Sequence, residues 1–340
     1  MQVLVTGGLG YIGSHTSVLL LEKGYDLVIV DDLSNSNIEV LENIYRITGK
    51  KPVFEKIDLK DRKAVSTLFK NYEFNGIIHF AAHKSVNESV NFPEKYFSNN
   101  VGSLENIIAE TKLLDKPMNF IFSSSCTVYG QADSMPIDES FPLKKAESPY
   151  GQSKRECEEV LEKLNESDFS FKNITLRYFN PVGAHPSALI GELPLGVPEN
   201  LVPYLTQTAI GKRDYLTVFG NDYETVDGTC VRDYIHIMDL AEVHVICLEK
   251  LMRVKSDDFF KVYNVGTGKG SSVLELINLF ETVNQIKLNY KIGARRKGDV
   301  VTAYANTSKI EGELDWRTKY SLEDALKSAW SWQKNINKNE

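Results

Sequence analysis

The opening residues constrain the fold more than any other part of the chain. Val3-Leu4-Val5-Thr6 is a β-branched, apolar run that stops at Gly7-Gly8-Leu9-Gly10-Tyr11-Ile12-Gly13. Helical spacing follows at once, from Ile12 through Leu19, Leu20 and Leu21 to a stop at Gly24. Strand, glycine turn and helix in that order describe a dinucleotide-binding βα unit. Gly7 allows the tight turn, Gly10 lets the backbone approach a pyrophosphate, and Gly13 lets the helix pack close on the strand. The anion would face the positive end of the helix and its unpaired N–H groups. Such a turn is common by itself, and an ordinary ligand-free βα turn is the competing reading. A second apolar run, Leu27-Val28-Ile29-Val30, ends in Asp31 and Asp32, where the unit's acidic residue meets an adenosine ribose. A carboxylate there accepts hydrogen bonds from two hydroxyls and repels a 2′-phosphate. These residues therefore point to NAD rather than NADP.

The alternation continues. The polar loop Ser34-Asn35-Ser36-Asn37 precedes helical spacing at Val40, Leu41, Ile44 and Ile47, ended by Gly49. Residues 52–57 predict a third strand, and Asp61 can cap a helix carrying Val65, Leu68 and Phe69. Residues 77–80 predict a fourth strand, and Pro93 opens one long helix through Val101, Leu104, Ile107 and Ile108. Residues 119–122 predict a fifth strand, with Ser123-Ser124-Ser125 after its end; 150–164 has helical spacing, and 174–179 predicts a sixth strand. Short apolar runs alternating with helices imply α/β architecture, a Rossmann-type doubly wound parallel sheet. Ligands of such sheets lie beyond the carboxyl ends of the strands, where almost every polar cluster falls.

Past Asn180 the pattern loosens. Residues 181–200 carry four prolines and three glycines, which predicts an ordered loop or lid. A helix over about 201–211, a strand over 216–220 and the segment Val231–His236 follow. Helices are expected at 239–251, at 273–284 with Ser272 and Glu275 as a capping box, and at 321–334. This is a smaller C-terminal mixed α/β substrate lobe. The expected division is 1–180 as the NAD-binding domain, with elements of 230–265 returning to it, and 181–340 as the lobe. A chain of 340 residues suits two such domains. A net charge of −7 disfavours a broad nucleic-acid surface. No apolar run is long enough to span a bilayer, no signal peptide is visible, and Cys126, Cys157, Cys230 and Cys247 have no paired spacing. The six histidines form no metal-ligand pattern. A cytoplasmic protein with free thiols and no metal is expected.

Tyr150-Gly151-Gln152-Ser153-Lys154 places a phenol and an ammonium one helical turn apart on one face. A free phenol has a pKa near 10, too high for a base at neutral pH, and a nearby cation lowers it. Tyr-x-x-x-Lys decides little alone. Here it opens the helix after the fifth strand, near Ser123-Ser124-Ser125, where a hydroxyl can bond a reacting oxygen and relay its proton. Without the tyrosine, Ser125 would read as an ordinary turn hydroxyl.

Thr6–Gly13, Tyr150-x-x-x-Lys154 and the serine run resemble the extended short-chain dehydrogenase/reductase superfamily. Longer stretches narrow the likeness: Phe122–Gly130, Arg177–Pro186, Phe219–Tyr223, Val231–His236 and Arg295–Asp299 are similar to the UDP-sugar 4-epimerases within it. The resemblance implies reversible 4-epimerisation of UDP-glucose and UDP-galactose, a step of galactose metabolism, through a transient 4-ketose with tightly bound NAD. Tyr150 would take the sugar 4-hydroxyl proton, Ser125 would assist, and Lys154 would hold the nicotinamide ribose and tune Tyr150. The resemblance extends cofactor contacts to Tyr11, Ile12, Asn35, Asp58, Leu59, Phe80, Ala81, Ala82, Lys84, Asn99, Ser123 and Tyr178. Asp58 also reads as an ordinary strand-end turn residue. UDP-hexose contacts implied in the same way are Phe179, Asn180, Asn200, Leu201, Arg232, Arg296 and Asp299, the arginines suiting a diphosphate. A homodimer through helices near 94–113 and 150–164 is expected.

One position differs within that family. Four residues after Asp299, a large aromatic restricts the pocket to glucose and galactose, and a small residue leaves room for an N-acetyl group. This chain has Ala303, with Tyr304 beside it, which implies additional activity on UDP-GlcNAc and UDP-GalNAc unless a slip of one residue puts Tyr304 in the pocket. Three rivals remain. A nucleotide-sugar 4,6-dehydratase would carry Asp-Glu where this chain has Cys126-Thr127. A non-catalytic NAD-sensing protein would have lost the tyrosine or lysine. Simple oxidoreduction would exchange cofactor freely.

Overall fold

Gln2–Thr6 forms β1 and Asp26–Asp31 forms β2, lying parallel with Leu4 opposite Val28 and Val5 opposite Ile29. Val3, Leu4, Val5, Val28, Ile29 and Val30 are fully buried, as strands covered on both faces must be. Between them runs α1 (Tyr11–Glu22). The computed structural model describes residues 1–114, 116–167, 171–256, 258–296 and 299–339.

The chain divides into two compact units. The first comprises residues 1–131, 142–178 and 241–263. After β2 come α2 (Glu39–Thr48), β3 (Val53–Lys56), α3 (Arg62–Asn71) and β4 (Gly76–His79). Gly49 ends α2 in the left-handed conformation at φ 68°. Asp61 caps α3 by accepting from the N–H groups of Lys63 (2.9 Å) and Ala64 (3.2 Å). Next come α4 (Val86–Asn91), α5 (Pro93–Tyr96), α6 (Gly102–Thr111), β5 (Met118–Ser125), α7 (Pro149–Asn165) and β6 (Phe171–Tyr178). The sheet order is β11-β6-β5-β4-β1-β2-β3, where β11 is Phe259–Val265. The five pairs from β6 to β3 are parallel. The sequence order reverses between β1 and β4, the crevice where such sheets bind ligands. Leu4, Val28, Ile77 and Phe120 on the sheet, with Leu104, Ile107 and Leu161 on helices, form one core.

Two features differ from the sequence reading. The helix expected from Pro93 onward is broken by a wide π turn at Phe97–Val101. That turn buries Asn99 and Asn100, and Asn100 brackets His83 through both its backbone N–H (2.8 Å) and C=O (3.1 Å) while donating to Ser153 Oγ (2.9 Å). Ser123-Ser124-Ser125 lies within β5 rather than after it, and Ser125 pairs with Tyr178 of β6. Polar side chains stay in a buried strand when partnered, and Ser124 donates to Glu158.

The second unit comprises residues 132–141, 179–240 and 264–340; the excursion of 132–141 has no sequence signal. In chain order after β6 its elements are β7 (Asn180–Val182), α8 (Leu201–Ala209), β8 (Leu216–Phe219), β9 (Val231–Arg232) and β10 (Tyr234–His236). Helix α9 (Ile237–Arg253) begins here and runs into the first unit's residues. After β11 follow β12 (Ser271–Ser272), α10 (Val273–Asn284), β13 (Tyr290–Gly293), β14 (Thr302–Ala303), α11 (Ser308–Leu314) and α12 (Leu322–Asn339). The capping box of α10 is formed: Ser272 Oγ accepts from Glu275 N at 3.0 Å, and Ser272 N donates to Glu275 Oε2 at 2.8 Å. Val202, Leu205, Leu276, Phe280, Leu326 and Trp330 build the core. Of the expected loop 181–200, the first residues form β7, and Ala184 bridges Gly191. No helix among the described residues is long and apolar enough to cross a membrane.

Candidate functional site

The glycine turn fits a dinucleotide for a steric reason. Gly7 sits at φ 64°, and a Cβ there would meet Ala81 N at 2.8 Å. A Cβ on Gly13 would lie 2.3 Å from Gly7 O. Gly10 is the N-cap of α1 and provides no side-chain cap, which leaves the first turn's N–H groups to the approach side. At the end of β2, Asp31 Oδ2 accepts from Leu9 N (3.1 Å), and Oδ1 accepts from Leu33 N (3.0 Å) and Ser36 Oγ (2.7 Å). These bonds hold Leu33 at a left-handed φ of 63°. Both oxygens of Asp31, the carboxylate that the sequence assigns to ribose, are thus partly committed to bracing the turn. A carboxylate offers about four acceptor sites, so capacity remains. Burial raises its pKa, against the hydrogen bonds from Ser36, Leu33 and Leu9. Asp32 accepts from Ser34 N (2.8 Å), and Asn35 is exposed on the same loop.

Tyr150 and Lys154 stand on the first turns of α7, whose Ser148 caps Gly151 N at 3.2 Å. The Tyr150 phenol is hydrogen-bonded to Ser125, and Ser125 Oγ also accepts from Thr127 N (3.2 Å) and Thr127 Oγ1 (3.0 Å). Lys154, 3 % exposed, donates to Ser123 O at 2.7 Å and lies 5.0 Å from the centre of the Phe122 ring. The structure therefore brings together the three residues expected to act.

Their protonation differs from expectation. The Tyr150 phenol is pushed up to about 12 by burial, with the Ser125 bond pulling it down. Burial also lowers the Lys154 ammonium to about 8. Sequence reasoning expected Lys154 to lower the phenol. The surroundings penalise both charges, and the ammonium is spent on the Ser123 carbonyl.

Around this centre, Tyr178 ends β6 with its hydroxyl 2.6 Å from His244 Nε2 and bonded to Ser123. His244 packs 4.7 Å from Phe80, centroid to centroid. Ala81 N donates to Thr6 Oγ1 at 3.3 Å, which fixes Phe80, Ala81 and Ala82 after β4 beside Gly7. Asn99 donates to Asn100 Oδ1 at 3.2 Å, and Lys84 is exposed just before α4. Asp58 is exposed, accepts from Lys60 N (2.9 Å) and pairs with Lys60 Nζ (3.4 Å), as its turn reading requires; Leu59 is buried in the core.

In the second unit, Asn180 N donates to Asp233 O (2.9 Å) and Phe179 N to Val265 O (3.0 Å). Asn200 is the N-cap of α8, immediately before Leu201, and its amide donates to Glu192 (2.6 Å). Arg232 Nη2 lies 4.0 Å from Asp299. The Arg296 guanidinium stacks 4.4 Å over the Phe219 ring, and Asp299 N donates to Arg296 O at 3.4 Å. Lys297 and Gly298 of this motif lie outside the described residues. Ala303 of β14 pairs in parallel register with Arg232, so the two share a face. Tyr304 faces the other way, its ring 3.1 Å from a Cβ built on Gly270.

Sequence reasoning missed His244, Asn100 and the buried pair of Glu158 and Arg177. His244 sits mid-helix without a motif and reaches Tyr178 only because α9 returns to the first unit. A short Arg177 guanidinium fork to Glu158 (2.6 Å) had no signal beyond isolated charges in apolar surroundings.

Known proteins share this fold and much of this sequence. The family model described as GDP-mannose 4,6 dehydratase matches residues 4–329. The UDP-glucose 4-epimerase of Bacillus subtilis is 48% identical over 338 residues, 99% of this chain and 98% of that protein. A crystal structure of UDP-glucose-4-epimerase from Stenotrophomonas maltophila, with bound NAD and formylated UDP-arabinopyranose, aligns with TM-score 0.95 at 42% identity, covering 100% of both chains. The Bifidobacterium longum enzyme in complex with NAD+ and UDP aligns with TM-score 0.94 at 41% identity, again over 100% of both.

Proposed function

The chain belongs to the UDP-glucose 4-epimerase family, inside the wider group that the GDP-mannose 4,6 dehydratase model covers, and from that premise we propose that it interconverts UDP-glucose and UDP-galactose with NAD as resident cofactor. The observation that carries this reading is the Tyr150 phenol bonded to Ser125 at the carboxyl end of β5, with Lys154 one turn further along α7. The glycine turn and Asp31 would hold the dinucleotide. When bound, NAD supplies a reversible store for one hydride at sugar C4.

Tyr150 takes the proton of the 4-hydroxyl and returns it after the ketose has turned. Ser125 bonds the same oxygen and passes the proton between it and the phenol. A phenol raised to about 12 is a poor base until positive charge comes near, so proton removal is confined to the loaded site. Lys154, anchored on the Ser123 carbonyl, binds the nicotinamide ribose. Phe80, Ala81, Ala82, Lys84, Asn99, Ser123 and Tyr178 line the cofactor. Arg232 and Arg296 take the diphosphate, Asp299 the uridine ribose, and Phe179, Asn180, Asn200 and Leu201 the remaining substrate contacts. A firm grip on the nucleotide with a loose one on the hexose lets the 4-ketose rotate.

Dehydration is the poorer reading: Thr127, where a dehydratase would carry an acid, donates its hydroxyl to Ser125. Ala303 shares a face with Arg232 and Tyr304 points away, which supports activity on UDP-GlcNAc and UDP-GalNAc as well. The reading includes a homodimer through the helices near 94–113 and 150–164, and exposed Val90 and Phe92 beside α5 support it. Four free cysteines support a cytoplasmic setting.

NMR of purified protein with UDP-galactose and no added NAD tests the reading. UDP-glucose should appear, and Tyr150→Phe should lower kcat by roughly 10²–10⁴. An unchanged spectrum from protein shown to carry NAD would overturn it.

A further inference from the structure

Glu158 lies one helical turn beyond Lys154 on α7 and is 6 % exposed. Its carboxylate grips the Arg177 guanidinium as a fork. Arg177 Nε donates to Oε1 (3.0 Å) and Oε2 (3.1 Å), and Nη2 donates to Oε2 at 2.6 Å. The same carboxylate accepts from Ser124 Oγ. Arg177 Nη1 continues to the Tyr129 hydroxyl at 2.8 Å, and the guanidinium lies 4.8 Å from the centre of the Tyr129 ring. One carboxylate thus fastens α7 to β5, to β6 and, through Arg177, to the short helical turn Cys126–Tyr129.

Every fastening point adjoins a residue of the proposed site. Ser124 lies between Ser123, which holds Lys154, and Ser125, which bonds Tyr150. Arg177 precedes Tyr178. A buried ion pair is weak as a source of stability, because desolvating both charges offsets their attraction. Its value lies in fixing geometry and local charge.

We propose that Glu158 is a positioning residue for proton transfer: it holds the helix of Tyr150 and Lys154 in register with the serine strand and gives the Lys154 ammonium a buried counter-charge on its own helix. This rests on the catalytic reading of Tyr150 and Lys154. The titratable groups around the lysine leave Glu158 in that role. Tyr150 and Cys157 on α7 are both pushed up to about 12, so both are neutral near pH 7. His79 on β4 is pushed down to about 3 by burial and by Lys154, and is neutral too. Glu105 on α6 and Glu156 on α7 act on Cys157. Arg177 on β6 pairs with Glu158 and bonds the Tyr129 hydroxyl in turn. Burial lowers the Lys154 ammonium, and Cys157 and then Glu158 oppose it; with the Cys157 thiol neutral near pH 7, Glu158 is the charged group of the two.

Glu158→Gln keeps the shape and an acceptor for Ser124 while removing the charge. The expected result is kcat for UDP-galactose lowered about 10-fold with KM within about 2-fold. The alkaline limb of kcat should move down by about one pH unit, the size expected for one charge a helical turn away. The ¹³Cε resonance of Lys154 in lysine-labelled protein should titrate lower by the same amount. A merely structural role would lower the melting temperature and leave both titrations in place. Folded Glu158→Gln with an unmoved alkaline limb and resonance overturns the proposal. Should that variant fail to fold, Arg177→Lys decides, since it keeps both charges and loses the fork. It should lower kcat about 10-fold with the limb unmoved, and wild-type kcat would overturn the positioning role. Lys154→Met is run beside them: wild-type turnover there would sink the catalytic reading itself, a result distinct from failure at Glu158.

Discussion

Gly13→Ala tests the link between backbone packing and cofactor retention. The new Cβ would lie 2.3 Å from Gly7 O, 2.8 Å from Gly8 Cα and 3.0 Å from Gly7 C. All three are backbone atoms, so no rotamer change relieves the overlap. Restoring ordinary contact requires the start of α1 to move back by about 1 Å. Overpacking of this kind costs about 1–3 kcal/mol, or roughly 3–10 °C in melting temperature for a unit of this size. In the proposed site the same movement would carry the Tyr11 and Ile12 N–H groups away from the dinucleotide phosphates, and a hydrogen bond stretched by ~1 Å is lost. One such bond to a charged group contributes about 1.5–3 kcal/mol, so NAD affinity should fall about 10- to 150-fold. Gly102→Ala is the control. Nothing lies within 4 Å of its Cβ, and at the start of α6 alanine should add up to about 1 kcal/mol. NAD released from each purified protein by acid is counted per chain, alongside a thermal melt. Gly13→Ala should carry much less than one NAD and melt lower, whereas Gly102→Ala should match or exceed the parent. A Gly13→Ala protein with full NAD and unchanged melting would refute the steric account.

Other expectations are open to direct measurement. Ala303→Tyr should abolish turnover of UDP-GlcNAc while UDP-galactose turnover stays within a few-fold; loss of both in equal measure would contradict the pocket-wall role. Arg232→Gln should raise KM for UDP-galactose roughly 10- to 100-fold with a smaller change in kcat, by loss of a charged hydrogen bond. Equal KM in titrations of both proteins would remove Arg232 from the diphosphate site. Stability should fall in acid. Burial holds His79 at about 3 and His236 at about 4 in the folded protein, below the usual 6.5 of the unfolded chain. The unfolded state therefore binds more protons below pH 6.5. The contribution of each histidine is complete above that pH and erodes toward pH 3–4, by about 2 kcal/mol each at pH 5. Guanidinium midpoints measured at pH 7 and pH 5 check this, and equal midpoints would contradict it.

Much of the site was legible because its residues sit where local rules are strict. Gly7 and Gly13 announce positions that a side chain cannot occupy, and Tyr150 and Lys154 are fixed on one face by the helix itself. Asp61 and the Ser272–Glu275 pair mark helix starts through hydrogen bonds between near neighbours. The sheet followed from alternating apolar runs, since strands buried on both faces must read as continuous β-branched stretches. Ala303 and Tyr304 could be placed near the substrate by motif, but one residue decides which of them faces Arg232.

What the sequence determined by itself was the succession of elements, the glycine turn and the placing of Tyr150 and Lys154 on one helical face, all set by interactions between residues close in the chain. Tertiary structure decided what those groups feel. The phenol of Tyr150 is raised rather than lowered because packing around α7 excludes water and sends the Lys154 ammonium to Ser123 O. Asp31 is partly spent on Leu9, Leu33 and Ser36 because the loop after β2 folds back onto the glycine turn. Glu158, Arg177, Ser124 and Tyr129 become one network only when α7, β5 and β6 pack together. His244 meets Tyr178 only when a helix 66 residues away returns to the sheet. Desolvation and long-range pairing depend on which surfaces meet, and no local pattern of residues encodes that.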